Sequence, residues 1–139
     1  MQPRAGEAPF VTRHFTVTGG SYHDGNRNMS NIYTVSGPVA PERLGTTLMH
    51  EHVMVDFGGA AVTGPHRWNR AEVAGVMLPY LRAVVRQGVS TLVECTPAYL
   101  GRDPELLRAL SRAAGLQIIT NTGFYREPYL PDWVFGMDP

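Results

Sequence analysis

Two histidines separated by one residue lie within an apolar segment, residues 47–56, with the sequence TLMHEHVMVD. A buried imidazole without a partner loses its hydrogen bonds to water, so His50 and His52 each require one. Side chains on a strand alternate between faces, which places both histidines on one face with their Cα atoms about 6.6 Å apart. Two imidazoles at this spacing can converge on one metal ion, at zinc-to-nitrogen distances of about 2.0–2.1 Å. The alternative is a pair of hydrogen-bonded core histidines.

The composition limits the ligands that such a metal would have. Cys95 is the single cysteine, which excludes an internal disulfide and a cysteine-based zinc cluster and leaves histidines and carboxylates as ligands. Cys95 itself, inside an apolar segment, is interpreted as a small buried hydrophobe rather than a nucleophile. All twelve basic residues are arginine, and lysine is absent from the 139 residues.

The charge and hydropathy patterns exclude two classes of partner. Twelve basic residues balance twelve acidic residues without a clustered basic stripe, which argues against nucleic-acid binding. No apolar segment is long enough to span a bilayer or to form the core of a secretory signal, which argues against a membrane partner. We therefore expect a globular protein located in the cytoplasm.

Three segments have the composition of buried strands, being rich in β-branched and apolar residues. They are residues 46–55, 90–96 and 116–122. A helical pattern lies between each pair, and this alternation predicts parallel strands joined by right-handed crossovers. His50 and His52 fall near the carboxyl end of the first strand, which is the edge where α/β barrels place their chemistry.

The two helices have clear start and stop signals. The first has Asn69 as its N-cap and ends at Gly88, and the second begins at Asp103 and ends at Gly115. Asp103 is expected to accept backbone N–H groups at the helix start and to form a surface ion pair with the neighbouring Arg102.

Three runs of residues together resemble the phosphotriesterase family of the amidohydrolase superfamily, which includes the phosphotriesterase-like lactonases. They are GPVAPERLGTTLMHEHV, STLVECTPAYLGRD and LLRALSRAAGLQIITNTGFY. The combination of HxH on the first strand, GRD after the second, and TG with an aromatic residue after the third is specific, whereas HxH alone is not. The resemblance extends from about residue 32 to residue 125.

The resemblance implies a (β/α)₈ barrel that binds two divalent metals, usually zinc, with a bridging hydroxide that attacks phosphotriester, lactone or ester bonds of a small-molecule substrate. His50 and His52 match the first two metal ligands of the family. Glu94 lies where the family tends to carry an acid, near the metal ligands, and a paired structural acid is its alternative role. Tyr125 matches an aromatic residue that lines the substrate pocket, with ordinary packing as its alternative role.

The chain departs from the family in the ligands that would complete the site. The family's other ligands are a carboxylated lysine, two further histidines and an aspartate on later strands, and none has a matching position here. Three of the eight strands are predicted, and His66 is the only histidine after His52. We therefore expect an incomplete catalytic site and an inactive isolated chain. The alternative function is a non-catalytic fragment that binds zinc weakly and needs a partner or a continuation.

The pattern of the chain changes near residue 30. Residues 1–30 lack apolar periodicity and are predicted to be a flexible leader, with Met29 as an alternative start, whereas residues 31–139 are predicted to be the N-terminal part of a hydrolase barrel. A partial barrel leaves strand edges unpaired, so we expect this chain to aggregate or to form a homo-oligomer.

Overall fold

The structure is a computed structural model that describes residues 30–136, so residues 1–29 of the predicted leader and residues 137–139 lie outside the described residues. Its main sheet has three parallel strands, arranged in the order in which they occur along the chain, and a two-stranded antiparallel hairpin precedes it. The hairpin strands are β1 (Ile32–Thr34) and β2 (Gly37–Val39), and the sheet strands are β3 (Thr46–Glu51), β4 (Val89–Glu94) and β5 (Gln117–Thr120). The predicted α/β fold with parallel strands is confirmed.

Helix α1 spans Arg70–Arg86 and connects β3 to β4. The Asn69 side chain accepts hydrogen bonds from the backbone N–H groups of Ala71 and Glu72, which satisfies donors that a helix start leaves without an intrahelical partner. The predicted N-cap is therefore confirmed. Within residues 30–136, no helix is long and apolar enough to cross a membrane.

Helix α2 spans Pro104–Ala114 and connects β4 to β5. Its start is fixed by Asp103, whose side chain accepts from the Leu106 N–H, and by a proline at the first helical position. Its end is fixed by Gly115, which has φ +69° and so adopts the left-handed conformation that glycine tolerates. Both predicted boundaries are confirmed.

The core lies between the helices and one face of the sheet. Strands β4 and β5 contribute Leu92 and Ile118, and the latter is fully buried. The remaining buried members come from both helices and from the segments that flank the strands: Val53, Leu81, Leu106, Leu107, Leu110 and Leu116. The helices therefore cover one face of the sheet, as expected for a strand–helix–strand unit.

A β-bulge in β3 decides which way the histidines point. Leu48 pairs with Leu92 and Glu51 pairs with Glu94, so β3 uses three residue steps where β4 uses two. The extra residue interrupts the alternation of faces, and Met49 and His50 are both exposed although they are consecutive.

Strand β3 ends at Glu51, four residues earlier than predicted, because the backbone after it finds other partners. The Val53 N–H donates to a side-chain oxygen of Glu94, and the Asp56 N–H donates to the Leu100 carbonyl oxygen at 2.8 Å. The segment after β3 is therefore held by the end of β4 and by the loop that follows β4. This places His52 just beyond the strand.

Candidate metal and substrate site

The imidazole rings of His50 and His52 lie side by side at the carboxyl end of β3. Their centroids are 5.2 Å apart, the ring planes meet at 71°, and both residues are exposed. Neither ring belongs to the core formed by the described residues. Two adjacent imidazoles at the carboxyl edge of a parallel sheet fit two of the ligands of a divalent metal such as zinc.

His52 has a partner that the sequence did not reveal. Its Nδ1 atom lies 3.0 Å from the Thr96 hydroxyl oxygen, and the same hydroxyl donates to the Met54 carbonyl oxygen at 3.2 Å. Thr96 follows β4 by two residues and is 1% exposed. The end of β4 therefore holds the histidine that follows β3.

Glu94 is a buried carboxyl group, 1% exposed, directly behind this segment. Its Oε1 accepts from the Val53 N–H at 3.4 Å, and its Oε2 has no hydrogen-bond partner within the described part of the chain. Burial raises the pKa of Glu94, and the hydrogen bonds from Thr96 and Val53 oppose this rise. Among residues 30–136 no arginine pairs with it, so its contacts are those of a backbone-anchored acid rather than of an ion pair.

The two aromatic residues after β5 have different neighbours. Phe124 stacks on Tyr99 at a centroid distance of 6.0 Å and meets Trp133 edge-on at 5.5 Å. Tyr125 is 48% exposed and lies 5.8 Å from the ring of Tyr129. Tyr129 in turn contacts Phe57, at 5.6 Å, which belongs to the loop that follows the histidines.

Asp103 has partners other than the one predicted. Its Oδ2 accepts from Trp68 Nε1 at 2.9 Å and from Arg70 Nε at 2.6 Å. The expected surface pair with Arg102 is wrong, because Asp103 is 3% exposed and Arg102 instead donates to the Asn121 carbonyl oxygen.

The ionisation of Asp103 reflects these contacts. Burial disfavours its charged form, but the hydrogen bonds from Arg70 and Trp68 outweigh burial and lower the pKa of Asp103. The carboxylate thus links the loop after β3 to the start of α2.

The described residues bring together two candidate metal ligands rather than a complete set. No group of three or more His, Cys, Asp or Glu residues suited to a metal occurs within residues 30–136. His66 lies in a short 3₁₀ turn, Pro65–Arg67, and is exposed there. The predicted ligand pair is thus brought together without a third histidine or carboxylate.

A sequence model of the phosphotriesterase family matches residues 30–136. The chain belongs to this family. The match covers every strand and helix of the structure, so the resemblance carried by the three motif runs is confirmed.

Relatives and solved structures agree with this assignment. The chain is 32% identical over 113 residues to a phosphotriesterase homology protein of Mycobacterium tuberculosis, covering 80% of this chain and 34% of that protein. It is 30% identical over 82 residues to an aryldialkylphosphatase of Saccharolobus solfataricus, covering 59% of this chain and 26% of that protein. An organophosphorus hydrolase from Deinococcus radiodurans superposes with a TM-score of 0.63 at 39% identity, covering 79% of this chain and 33% of that one. The chain thus spans about a quarter to a third of the length of these three proteins.

Proposed function

We propose that this chain supplies part of the active site of a metal-dependent hydrolase that cleaves phosphotriester, lactone or ester bonds in small molecules. Family membership and the names of the relatives, an aryldialkylphosphatase and an organophosphorus hydrolase, support this reaction class. The observation that carries the proposal is the adjacent, exposed pair of imidazoles at the carboxyl edge of the sheet. In this proposal β3, β4 and β5 are the first three strands of a (β/α)₈ barrel.

His50 and His52 would hold one of two divalent metals. Imidazole nitrogen suits zinc among the common biological divalent ions, whereas magnesium and calcium prefer oxygen. When bound, such a metal lowers the pKa of a water ligand towards about 7 and polarises the oxygen of the bond under attack. The chain's own residues hold and orient the two imidazoles, because the bulge in β3 aims His50 outwards and Thr96 anchors His52.

Glu94 and Tyr125 have supporting roles in this proposal. Glu94 holds the backbone next to His52 through the Val53 N–H, which limits how far the imidazole can move. Tyr125 presents a half-exposed ring beside Tyr129 and so offers an apolar wall to a substrate. Phe124 is assigned to packing, because Tyr99 and Trp133 contact its ring.

A second candidate function is zinc binding without turnover. Ligand count favours it, since the described residues bring together two imidazoles and no further metal-ligating group. Two ligands bind a metal more weakly than the usual three or four, and the remaining ligands would then come from a partner or from further chain.

Zinc titration of the purified chain tests whether the imidazoles bind metal. Isothermal calorimetry on the wild type, on His50→Ala and on His52→Ala should show that each substitution weakens Zn²⁺ binding at least tenfold. His66→Ala is the matched control, because it removes an exposed histidine of the same loop region and should leave the affinity unchanged. Equal affinity in all four proteins would exclude the proposed site.

Hydrolysis assays separate the two functions. An aryl phosphotriester and a lactone are incubated with the chain and Zn²⁺, beside the double variant in which both His50 and His52 are alanine. Turnover equal to that of the double variant, with intact zinc binding, supports zinc binding without turnover. Turnover above it supports the hydrolase and requires that other ligands complete the site in solution.

A further inference from the structure

Thr96 is buried, and it contacts two points of the segment that carries the metal ligands. Its hydroxyl oxygen lies 3.0 Å from His52 Nδ1 and 3.2 Å from the Met54 carbonyl oxygen. We infer that Thr96 is a positioning residue that fixes the neutral tautomer of His52, with the proton on Nδ1 and the lone pair on Nε2. This inference rests on the proposed function in which His52 is a metal ligand.

Counting protons gives the direction of the contact. A threonine hydroxyl has one hydrogen to donate and lone pairs that accept. The Met54 carbonyl oxygen only accepts, so the single hydroxyl proton goes to it. The contact with His52 therefore has Nδ1 as donor and the Thr96 oxygen as acceptor.

The opposite tautomer would leave an unfavourable arrangement. If the proton of His52 were on Nε2, then Nδ1 would need a donor and would take the hydroxyl proton of Thr96. The carbonyl oxygen of Met54 would then lose this donor. Since Thr96 is 1% exposed, water cannot easily supply the missing hydrogen bond at that position.

A proton fixed on Nδ1 leaves Nε2 as the nitrogen of His52 that can bind a metal. Metal-binding histidines commonly donate their other ring N–H to a neighbouring acceptor, which fixes the tautomer and the ring orientation. Here a hydroxyl from the end of β4 is that acceptor, and it is itself tied to the backbone two residues after His52. The Nε2 lone pair of His52 is thereby aimed away from Thr96 and is available to a metal.

Nuclear magnetic resonance of the metal-free chain tests the tautomer directly. Ring ¹⁵N shifts are recorded at a pH at which the imidazole is neutral, on the wild type, Thr96→Val and Thr96→Ser, with the His52 signals assigned from His52→Ala. The wild type and Thr96→Ser should show the proton on Nδ1. Thr96→Val, which keeps the shape but has no hydroxyl, should shift His52 towards the Nε2-protonated tautomer.

His50 is the internal control. The Thr96 hydroxyl contacts His52, so replacing Thr96 should leave the ring ¹⁵N shifts of His50 unchanged. A wild-type His52 protonated on Nε2 would overturn the inference, whether or not Thr96→Val folds. So would an Nδ1-protonated His52 in a folded Thr96→Val variant. These outcomes are independent of metal, so they differ from a failure of the proposed zinc site.

Zinc affinity gives the second readout. Loss of the acceptor behind a metal-binding histidine typically weakens metal affinity by about 10- to 100-fold. We expect that range for Thr96→Val and near-wild-type affinity for Thr96→Ser. A purely structural role for Thr96 predicts instead lower thermal stability in Thr96→Val with unchanged tautomer and affinity, and that result would contradict the inference.

Discussion

Asp103 Oδ2 lies 2.6 Å from Arg70 Nε, and this contact joins the last residue of the loop after β4 to the first residue of helix α1. The same carboxylate accepts from the indole of Trp68 and caps helix α2 through the Leu106 N–H. One buried side chain thus fixes the loop that follows the histidines against the loop that follows β4.

Replacing Asp103 should destabilise the fold according to how many of these contacts survive. Asp103→Ala removes the cap and both side-chain acceptors, for which we expect a loss of about 2 kcal/mol in the free energy of unfolding. Asp103→Asn keeps a good N-cap and should lose about 1 kcal/mol. Urea denaturation measures both values.

The matched control for these variants is Asp56→Asn. Asp56 also pairs with an arginine, Arg67 at 2.6 Å, but the Asp56 side chain is 16% exposed whereas that of Asp103 is 1% exposed. Solvent screening limits such a pair to below about 1 kcal/mol. A larger loss for Asp56→Asn than for Asp103→Ala would contradict the role assigned to the buried carboxylate.

The contribution of Asp103 should depend on pH in a specific direction. Its pKa in the folded state lies below the ordinary value of 3.8, so the folded state holds the proton less tightly than the unfolded state. The stabilisation is therefore complete above the unfolded pKa and is lost as pH falls through the folded pKa. The difference in unfolding free energy between the wild type and Asp103→Asn should be constant near neutral pH and shrink below about pH 4. A difference that grows on acidification would exclude this linkage.

Local signals predicted much of this fold and part of the site. Asn69, Asp103 and Gly115 mark helix ends through contacts within a few residues, and these contacts depend on the sequence nearby. The period of a strand also predicts that His50 and His52 lie on one face, whereas their exposure is a finding of the structure. The imidazoles are adjacent in the structure, with ring centroids 5.2 Å apart, although His50 lies within the bulged stretch of β3 and His52 just beyond the strand.

Contacts between distant segments were not predictable in this way. The bulge in β3 depends on how β3 pairs with β4, and the Thr96 hydroxyl meets His52 from 44 positions along the chain. Proximity in sequence favours Arg102 as the partner of Asp103, and this prediction is wrong. The actual partner, Arg70, lies 33 positions away. No periodicity or capping pattern encodes such pairs, since they depend on the tertiary fold.

Gly101 should tolerate substitution poorly, because it combines an unfavourable backbone angle with close contacts. Its φ is +114°, and an added Cβ would lie 3.1 Å from the Asp56 nitrogen and 3.2 Å from the Met54 carbonyl oxygen. We expect Gly101→Ala to cost at least about 2 kcal/mol in the free energy of unfolding. Gly59→Ala is the control, since φ is +92° there but nothing lies within 4 Å of the added Cβ. Equal losses would show that the contacts with the segment after His52 do not matter.

Gly75→Ala should stabilise the chain. Gly75 lies in the middle of α1, is exposed, and has nothing within 4 Å of a Cβ built on it. Glycine inside a helix costs about 0.5–1 kcal/mol relative to alanine, because it loses more backbone freedom on folding. Thermal denaturation should therefore show a higher midpoint for the variant, and a lower midpoint would indicate an unrecognised contact at this face.

Tyr125 and Phe124 should separate ligand contact from packing, although they are neighbours in sequence. Phe124 contacts two aromatic rings, and such pairs contribute about 0.5–1.5 kcal/mol beyond the area that they bury, so Phe124→Leu should lower the free energy of unfolding. Tyr125 contacts one aromatic ring, that of Tyr129, so Tyr125→Leu should change stability less. In zinc-loaded protein, Tyr125→Leu should weaken binding of an aryl phosphotriester, measured by equilibrium dialysis, whereas Phe124→Leu should leave it close to the wild type as long as the protein remains folded. The reverse pattern, with weaker binding in Phe124→Leu and a larger loss of stability in Tyr125→Leu, would exchange the roles of the two residues.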